Sequence, residues 1–209
     1  MEVLKQFEEI CKPDNRHRIY GNFDPDEELG EQGDSLRGRH TRMARLDLSH
    51  AVPEAIRSAY AVARTLWLYG WFYWPFYTVA ELHACLCVDL ALYQRGVRAG
   101  LVDPTAEKAH EAHPALSELF EMALDQGWLT DEGFEHLRVW RKRAEALGME
   151  ASDETAIADL PDSDRYIKLL AEAIPRRRNL SVHPSHYWHG MPSDVLLQNT
   201  RDIIEQLFD

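Results

Sequence analysis

The chain has 209 residues, of which 45% are hydrophobic, so it is long enough for one well-buried core and short for two full domains. A formal net charge of -12 argues against a protein that coats nucleic acid nonspecifically, because such binding depends on many lysine and arginine contacts to phosphate. We therefore expect any contact with nucleic acid to be local.

The cysteines indicate a reducing compartment. Their number, three, is odd, and Cys85 and Cys87 lie too close together in a probable helix to form a disulfide framework. The segment from Met1 to Glu9 lacks the apolar core of a secretory signal. We expect a cytoplasmic protein.

An aromatic stretch from Thr65 to Ala80 raises the question of a membrane span. The stretch is uncharged, but it is shorter than the ~20 residues that a span needs, it contains Gly70 and Pro75, and Glu81 follows it directly. We expect no membrane insertion. Buried packing or a subunit surface is the predicted use of these aromatic side chains.

The pattern of charged and apolar residues divides the chain at residue 50. Residues 1–50 alternate charged stretches with turn formers, which predicts an N-terminal arm or irregular extension. Residues 51–209 carry apolar stripes at helical spacing and no alternating run long enough for a strand, so we predict an all-α helical bundle. The stripes run from Ile56 to Leu66, Val79 to Leu92, Leu116 to Leu124, Phe134 to Leu147, Tyr166 to Ile174 and Val195 to Phe208.

The second of these helices is apolar on more than one side and is predicted to lie at the centre of the bundle. Glu81 and Asp89 interrupt its apolar surface. Either carboxylate could line a cleft or pair with an arginine, and either could equally lie at a solvated edge or in a structural ion pair. The fifth helix is predicted to run up to Pro175 and the arginines that follow it.

The segment from Arg178 to His183 is the most informative feature of the chain. Arginine stays charged and binds phosphate with a planar fork, while histidine can take and give a proton near neutral pH. On a straight helix, positions five apart point about 140° away from each other, so the two side chains converge only at a helix end or across two subunits. Pro184 offers the first, because the residue before a proline is disfavoured in helical geometry, and a two-fold dimer offers the second.

This pattern resembles the ribonucleases of the HEPN (higher eukaryotes and prokaryotes nucleotide-binding) superfamily, in which an arginine, often followed by asparagine, precedes a histidine by four to six residues. Arg178, Asn179 and His183 match it, and the helical setting from residue 51 to 209 is similar to the HEPN bundle. Pro184 and Ser185 follow the histidine, whereas the toxin branch of the superfamily ends its motif in His-x-Tyr.

The resemblance implies metal-independent cleavage of RNA at a dimer cleft, with the ribose 2′-hydroxyl attacking the adjacent phosphate. In that scheme His183 acts as general base or acid, Arg178 holds the phosphate, and Asn179 orients its neighbours. Arg176 and Arg177 supply a local positive patch. The implied partners are an RNA substrate, a second copy of the chain and an antitoxin or regulatory protein, and defence or toxin–antitoxin regulation rests on family analogy alone.

Other interpretations of the same segment stay open. A basic run at a helix end also interacts favourably with the helix dipole, so the bundle could be a non-catalytic module that binds a partner protein or a nucleotide. His183, His186 and His189 recur every third residue, but no nearby carboxylate or cysteine completes a metal site, and we expect neither metal nor cofactor. His186 and Tyr187 could instead stack on RNA bases or pack against the bundle.

Overall fold

The computed structural model describes residues 5–17, 35–108, 112–146, 165–182 and 194–209, without the side chains at 140, 141, 143–146, 181 and 182. These residues contain two short 3-10 helices, Phe7–Glu9 and Asp131–Gly133, and no strand. The predicted all-α class is therefore confirmed for the described part of the chain. In chain order the α-helices are α1 (Leu36–Arg45), α2 (Glu54–Tyr69), α3 (Pro75–Arg98), α4 (Leu116–Asp125), α5 (Glu135–Ala146), α6 (Arg165–Val182) and α7 (Val195–Phe208).

Helix α3 is the central helix, as the sequence predicts. It packs against α2, α4, α6 and α7. Its fully buried residues include the small side chains Ala80, Ala84 and Ala91, which let neighbouring helix backbones approach closely. Gly100, with a φ of 71°, lies just beyond its end in the left-handed conformation that a glycine adopts without steric cost.

Helix α3 is also long and apolar enough, by length and composition, to cross a membrane. Of its most apolar 18-residue window, however, 56% is buried inside the fold. The central helix of a helical bundle has the same composition, because it is surrounded by other helices. Its apolar character therefore has a sufficient explanation in the packing described above.

Aromatic side chains fill the corner between α2 and α3. Trp67, Trp71 and Tyr77 are at most 4% exposed, which confirms burial by packing for this part of the aromatic stretch. The Arg39 guanidinium lies 5.3 Å from the Trp67 ring centroid and 5.2 Å from that of Trp71. It also donates a hydrogen bond to the Tyr77 hydroxyl. This buried cation is held by ring faces and one phenol oxygen.

Helix α1 lies within residues 1–50, where the sequence predicts an irregular extension. The structure differs here: Met43, Leu46 and Leu48 are buried and belong to the hydrophobic core. The reason is that α1 packs against α2 and its Arg39 reaches the aromatic corner. A short helix with few apolar residues has a weak periodic signal, so its packing partners decide its structure.

Helix α6 runs through Pro175 and the arginines that follow it to Val182. A proline in a helix interior removes one backbone hydrogen bond, so other contacts must hold the chain on both sides. Before the proline, Ile174 is 1% exposed, and after it Arg177 is bound to Glu81 of α3. The Asp131 carboxylate caps the start of α6 and accepts hydrogen bonds from the first free backbone N–H groups. Tertiary contacts therefore set the length of this helix.

Candidate functional site

The last turns of α6 lie against a polar stripe on α3. Glu81, Cys85 and Asp89 follow one another at four-residue spacing and so share one face of α3. Arg177 and Arg178 of α6 are close enough to change the electrostatics of these three side chains. We call this group of five residues the α3–α6 seam.

Glu81 and Arg177 form the best-defined contact of the seam. An Nη2 group of Arg177 lies 2.5 Å from Oε2 of Glu81, and the two side chains are 35% and 9% exposed. Burial raises the pKa of Glu81, and the hydrogen bond and charge of Arg177 act in the opposite direction. The sequence left several roles open for the two α3 carboxylates, and the structure shows an ion pair with an arginine for Glu81.

Asp89 lies in the seam within the electrostatic influence of Arg178. Asp89 is 8% exposed, and its Oδ1 is buried without a hydrogen-bond partner among the described residues. Burial raises the pKa of Asp89, while the charges of His113 and Arg178 lower it. The Nε of Arg178 is likewise buried and has no described partner. Asp89 and Arg178 are thus two oppositely charged groups of the seam, and each has a buried atom that could form a further hydrogen bond.

The remaining predicted site residues on α6 lie at the surface. Arg176 and Asn179 are exposed, and Arg178 is half-buried. The Nη1 of Arg178 lies 3.5 Å from Oδ1 of Asn179, at the outer limit of a hydrogen bond. Arg176, Arg177 and Arg178 together place three positive charges at one end of α6 in a chain with a net charge of -12.

Part of the predicted site lies outside the described residues. This holds for His183, for the two aromatic RNA-binding candidates His186 and Tyr187, and for His189. The described part of α6 ends at Val182, immediately before His183. The pairing of Arg178 with His183 therefore stays a prediction.

The buried thiols of α3 are not poised as nucleophiles. Burial raises the pKa of Cys85 and that of Cys87 to about 12, which keeps both thiols protonated at neutral pH. Both are free cysteines, as is the exposed Cys11. In the part of the chain that the structure describes, no three histidine, cysteine or acidic side chains are grouped to hold a metal ion.

One residue beside the seam was missed by sequence reasoning. His113 lies in the loop before α4, is exposed, and stacks on Tyr93 of α3 with ring centroids 4.7 Å apart and an interplanar angle of 8°. Tyr93 is four residues beyond Asp89, on the same face of α3. The four-residue spacing of these α3 side chains was visible in the sequence, but no local pattern connects the loop histidine to it.

Comparisons with known proteins add no relative. No family model, no curated protein and no solved structure matches this chain. The fold and the seam described above are therefore the basis for the function proposed below.

Proposed function

We propose that this protein is a metal-independent endoribonuclease that resembles the HEPN type and acts in the cytoplasm as a homodimer. Arg178, Asn179 and His183 are its proposed catalytic residues. The observation that carries the proposal is the position of Arg178, a half-buried cation five residues before a histidine, at the arginine-rich end of a helix in an otherwise acidic chain. A phosphate group is the ligand that such a local cluster of guanidinium groups favours.

The proposed reaction is an attack of the ribose 2′-oxygen on the adjacent phosphorus. A general base takes the 2′-hydroxyl proton as the new O–P bond forms, and a general acid gives a proton to the 5′-oxygen as the old P–O bond breaks. His183 is the proposed base or acid, because an unperturbed imidazole titrates near neutral pH. Arg178 would stabilise the negative charge that builds up on the phosphoryl oxygens.

The seam supports a fixed position for the arginines. Arg177 is held by Glu81, which ties this turn of α6 to α3. The neighbouring Arg178 therefore extends from an anchored backbone, and preorganised charges of this kind need little rearrangement when a transition state forms. Arg176 is exposed on the same turn and is proposed to contact the RNA backbone.

The exposed face of α6 offers a surface for pairing with a second copy of the chain. Leu169 is 51% exposed and Leu180 is 41% exposed, and Ala173 is exposed between them. Together with Arg176 these residues have the 4-3-4 spacing of a helix-pairing seam. In an antiparallel pair of α6 helices, Glu172 of one copy would lie near Arg176 of the other. Such a pair would be related by a two-fold axis.

The test is cleavage of a fluorescent RNA by purified protein in excess chelator. We expect cleavage by the parent, and a loss of about 10²- to 10³-fold in kcat for Arg178→Ala and at least as much for His183→Ala. Lys168→Ala is the matched control, because Lys168 is an exposed cation on the same helix and outside the seam. Its rate should equal that of the parent.

A binding function is the second candidate, and a groove beside the aromatic corner favours it. The groove has a volume of about 460 Å³, and Tyr69, Phe72, Tyr73 and Phe76 form one side of it. A groove with mostly apolar walls fits an apolar segment of a partner, for example an antitoxin or another regulatory protein. Absence of cleavage across varied RNAs, with all variants folded, would favour this non-catalytic module over the enzyme.

A further inference from the structure

A phenylalanine beside the aromatic corner is almost fully exposed to solvent. Phe7 begins the 3-10 helix Phe7–Glu9 and is 83% exposed, the largest value for a large apolar residue in the described part of the chain. Ile10 follows three residues later, is 51% exposed and lines the groove at this corner. Side chains three apart in a 3-10 turn lie on the same side, so the exposed Phe7 ring is next to the rim of the groove.

The walls of the groove suit an aromatic ring. The four aromatic residues of the corner form one side of it, and Ile10 and Cys11 lie on the other. Aromatic rings prefer offset-stacked or edge-to-face neighbours, so four such residues offer several favourable positions to a further ring. The volume of about 460 Å³ is in the range of ligand pockets, which leaves room for a phenylalanine side chain.

The two lysines beside the groove do not oppose a second copy of this segment. The Lys5 ammonium donates hydrogen bonds to the backbone oxygens of Glu9 and Lys12, at 3.2 and 2.9 Å. The Lys12 ammonium lies 2.7 Å from Oε1 of Glu9. Both lysines are thus engaged within their own segment, so bringing two copies together does not place one unpaired ammonium against another.

We propose that a second copy of this chain covers the groove, with Phe7 of each copy inserted into the groove of the other. A two-fold interface is self-complementary, so one face must carry both a feature and its counterpart. This face carries an exposed ring and an aromatic groove within one turn of chain. Reciprocal insertion buries both rings, and buried aromatic anchors supply much of the energy of an interface. The contact uses none of the α6 residues named for pairing above and does not depend on the ribonuclease proposal.

The experiment follows the reactivity of Cys11, an exposed thiol that lines the groove. The protein is reacted briefly with excess thiol reagent at increasing protein concentration, and mass spectrometry gives the labelled fraction. We expect slower labelling of Cys11 at high concentration, because the second copy covers the groove. Phe7→Ser should raise the concentration that gives half-protection about 30-fold or more. Val139→Ser is the matched control, because Val139 is 59% exposed on α5, and it should behave as the parent does.

A mixing experiment tests the insertion itself. Cys11→Trp keeps Phe7 but fills its own groove and has no thiol at this position, whereas Phe7→Ser keeps an empty groove. Adding Cys11→Trp to Phe7→Ser should slow the labelling of Cys11 in the latter, and adding a variant with both changes should not. Labelling of the parent that is independent of concentration, or equal protection of Phe7→Ser and the parent with both folded, would overturn the inference. Pairing through α6 alone gives the first of these results, and neither result bears on RNA cleavage.

Discussion

The ion pair between Glu81 and Arg177 offers the sharpest test of the seam. Replacing Arg177 with alanine leaves the Glu81 carboxylate, which is 9% exposed, without its partner. Breaking a fully buried pair on one side costs about 3–5 kcal/mol, but the Arg177 side chain is 35% exposed and water screens part of the interaction. We therefore expect Arg177→Ala to lower the free energy of unfolding by about 2 kcal/mol at neutral pH, or Tm by about 4–8 °C.

The loss should depend on pH in a defined direction. Burial raises the pKa of Glu81 in the folded protein above its ordinary value of 4.5. The contribution of the protonated carboxyl to stability is therefore fully present below pH 4.5 and is lost as the pH rises through the raised pKa. Removing Arg177 takes away the interactions that lower this pKa and raises it further. The variant should therefore recover stability relative to the parent as the pH falls from 7.5 towards 5.

The assay is denaturant unfolding at pH 7.5 and pH 5, with Arg176→Ala as the matched control because Arg176 is exposed on the same turn. The double variant Glu81→Gln with Arg177→Ala removes the buried charge as well, and it should be more stable at pH 7.5 than Arg177→Ala alone. An equal loss for Arg176→Ala and Arg177→Ala, or a loss that does not change with pH, would refute the reasoning.

Two further predictions concern packing and thiol chemistry. Gly70→Ala should destabilise the fold by about 1–3 kcal/mol in denaturant unfolding, because the added Cβ would lie 2.5 Å from Cε1 of the packed Tyr77 ring. Unchanged stability would mean that the Tyr77 ring moves away without cost. A thiol reagent at pH 8 should modify Cys11 alone in the native protein and all three cysteines after unfolding. The reason is that burial raises the pKa of Cys85 and Cys87 to about 12. Mass spectrometry counts the labels, and rapid labelling of either buried thiol in the native protein would contradict this packing.

The helices of the bundle could be predicted because their apolar residues repeat at helical spacing. The boundaries at Gly70 and Pro75 were also predictable, because the two residues come between two long apolar stripes and the structure ends α2 and begins α3 there. The contact that holds α6 beyond Pro175 could not be predicted, because the pair of Arg177 with Glu81 is long-range. Helix α1 was missed for a similar reason, because it depends on packing against α2.

The candidate site was predictable only in part. The arginines before Asn179 stand out in the sequence, and two acidic residues on an apolar helix made a pairing with an arginine one of several open alternatives. His113 gave no such signal, because a histidine in a polar loop is ordinary until the fold brings it to Tyr93. Local patterns thus identified the charged groups on helices, and only the packing of the helices showed which loop reaches them.

The chemical form of the RNA ends tests the ribonuclease proposal most directly. The parent is incubated with a defined RNA in excess chelator, beside the same strand carrying 2′-deoxyribose, and the fragments are identified by mass spectrometry. Attack by the ribose 2′-oxygen predicts fragments that end in a 2′,3′-cyclic phosphate and begin with a 5′-hydroxyl, with no cleavage at the deoxyribose positions. Fragments with 3′-hydroxyl and 5′-phosphate ends, or an RNA that stays intact, would contradict it.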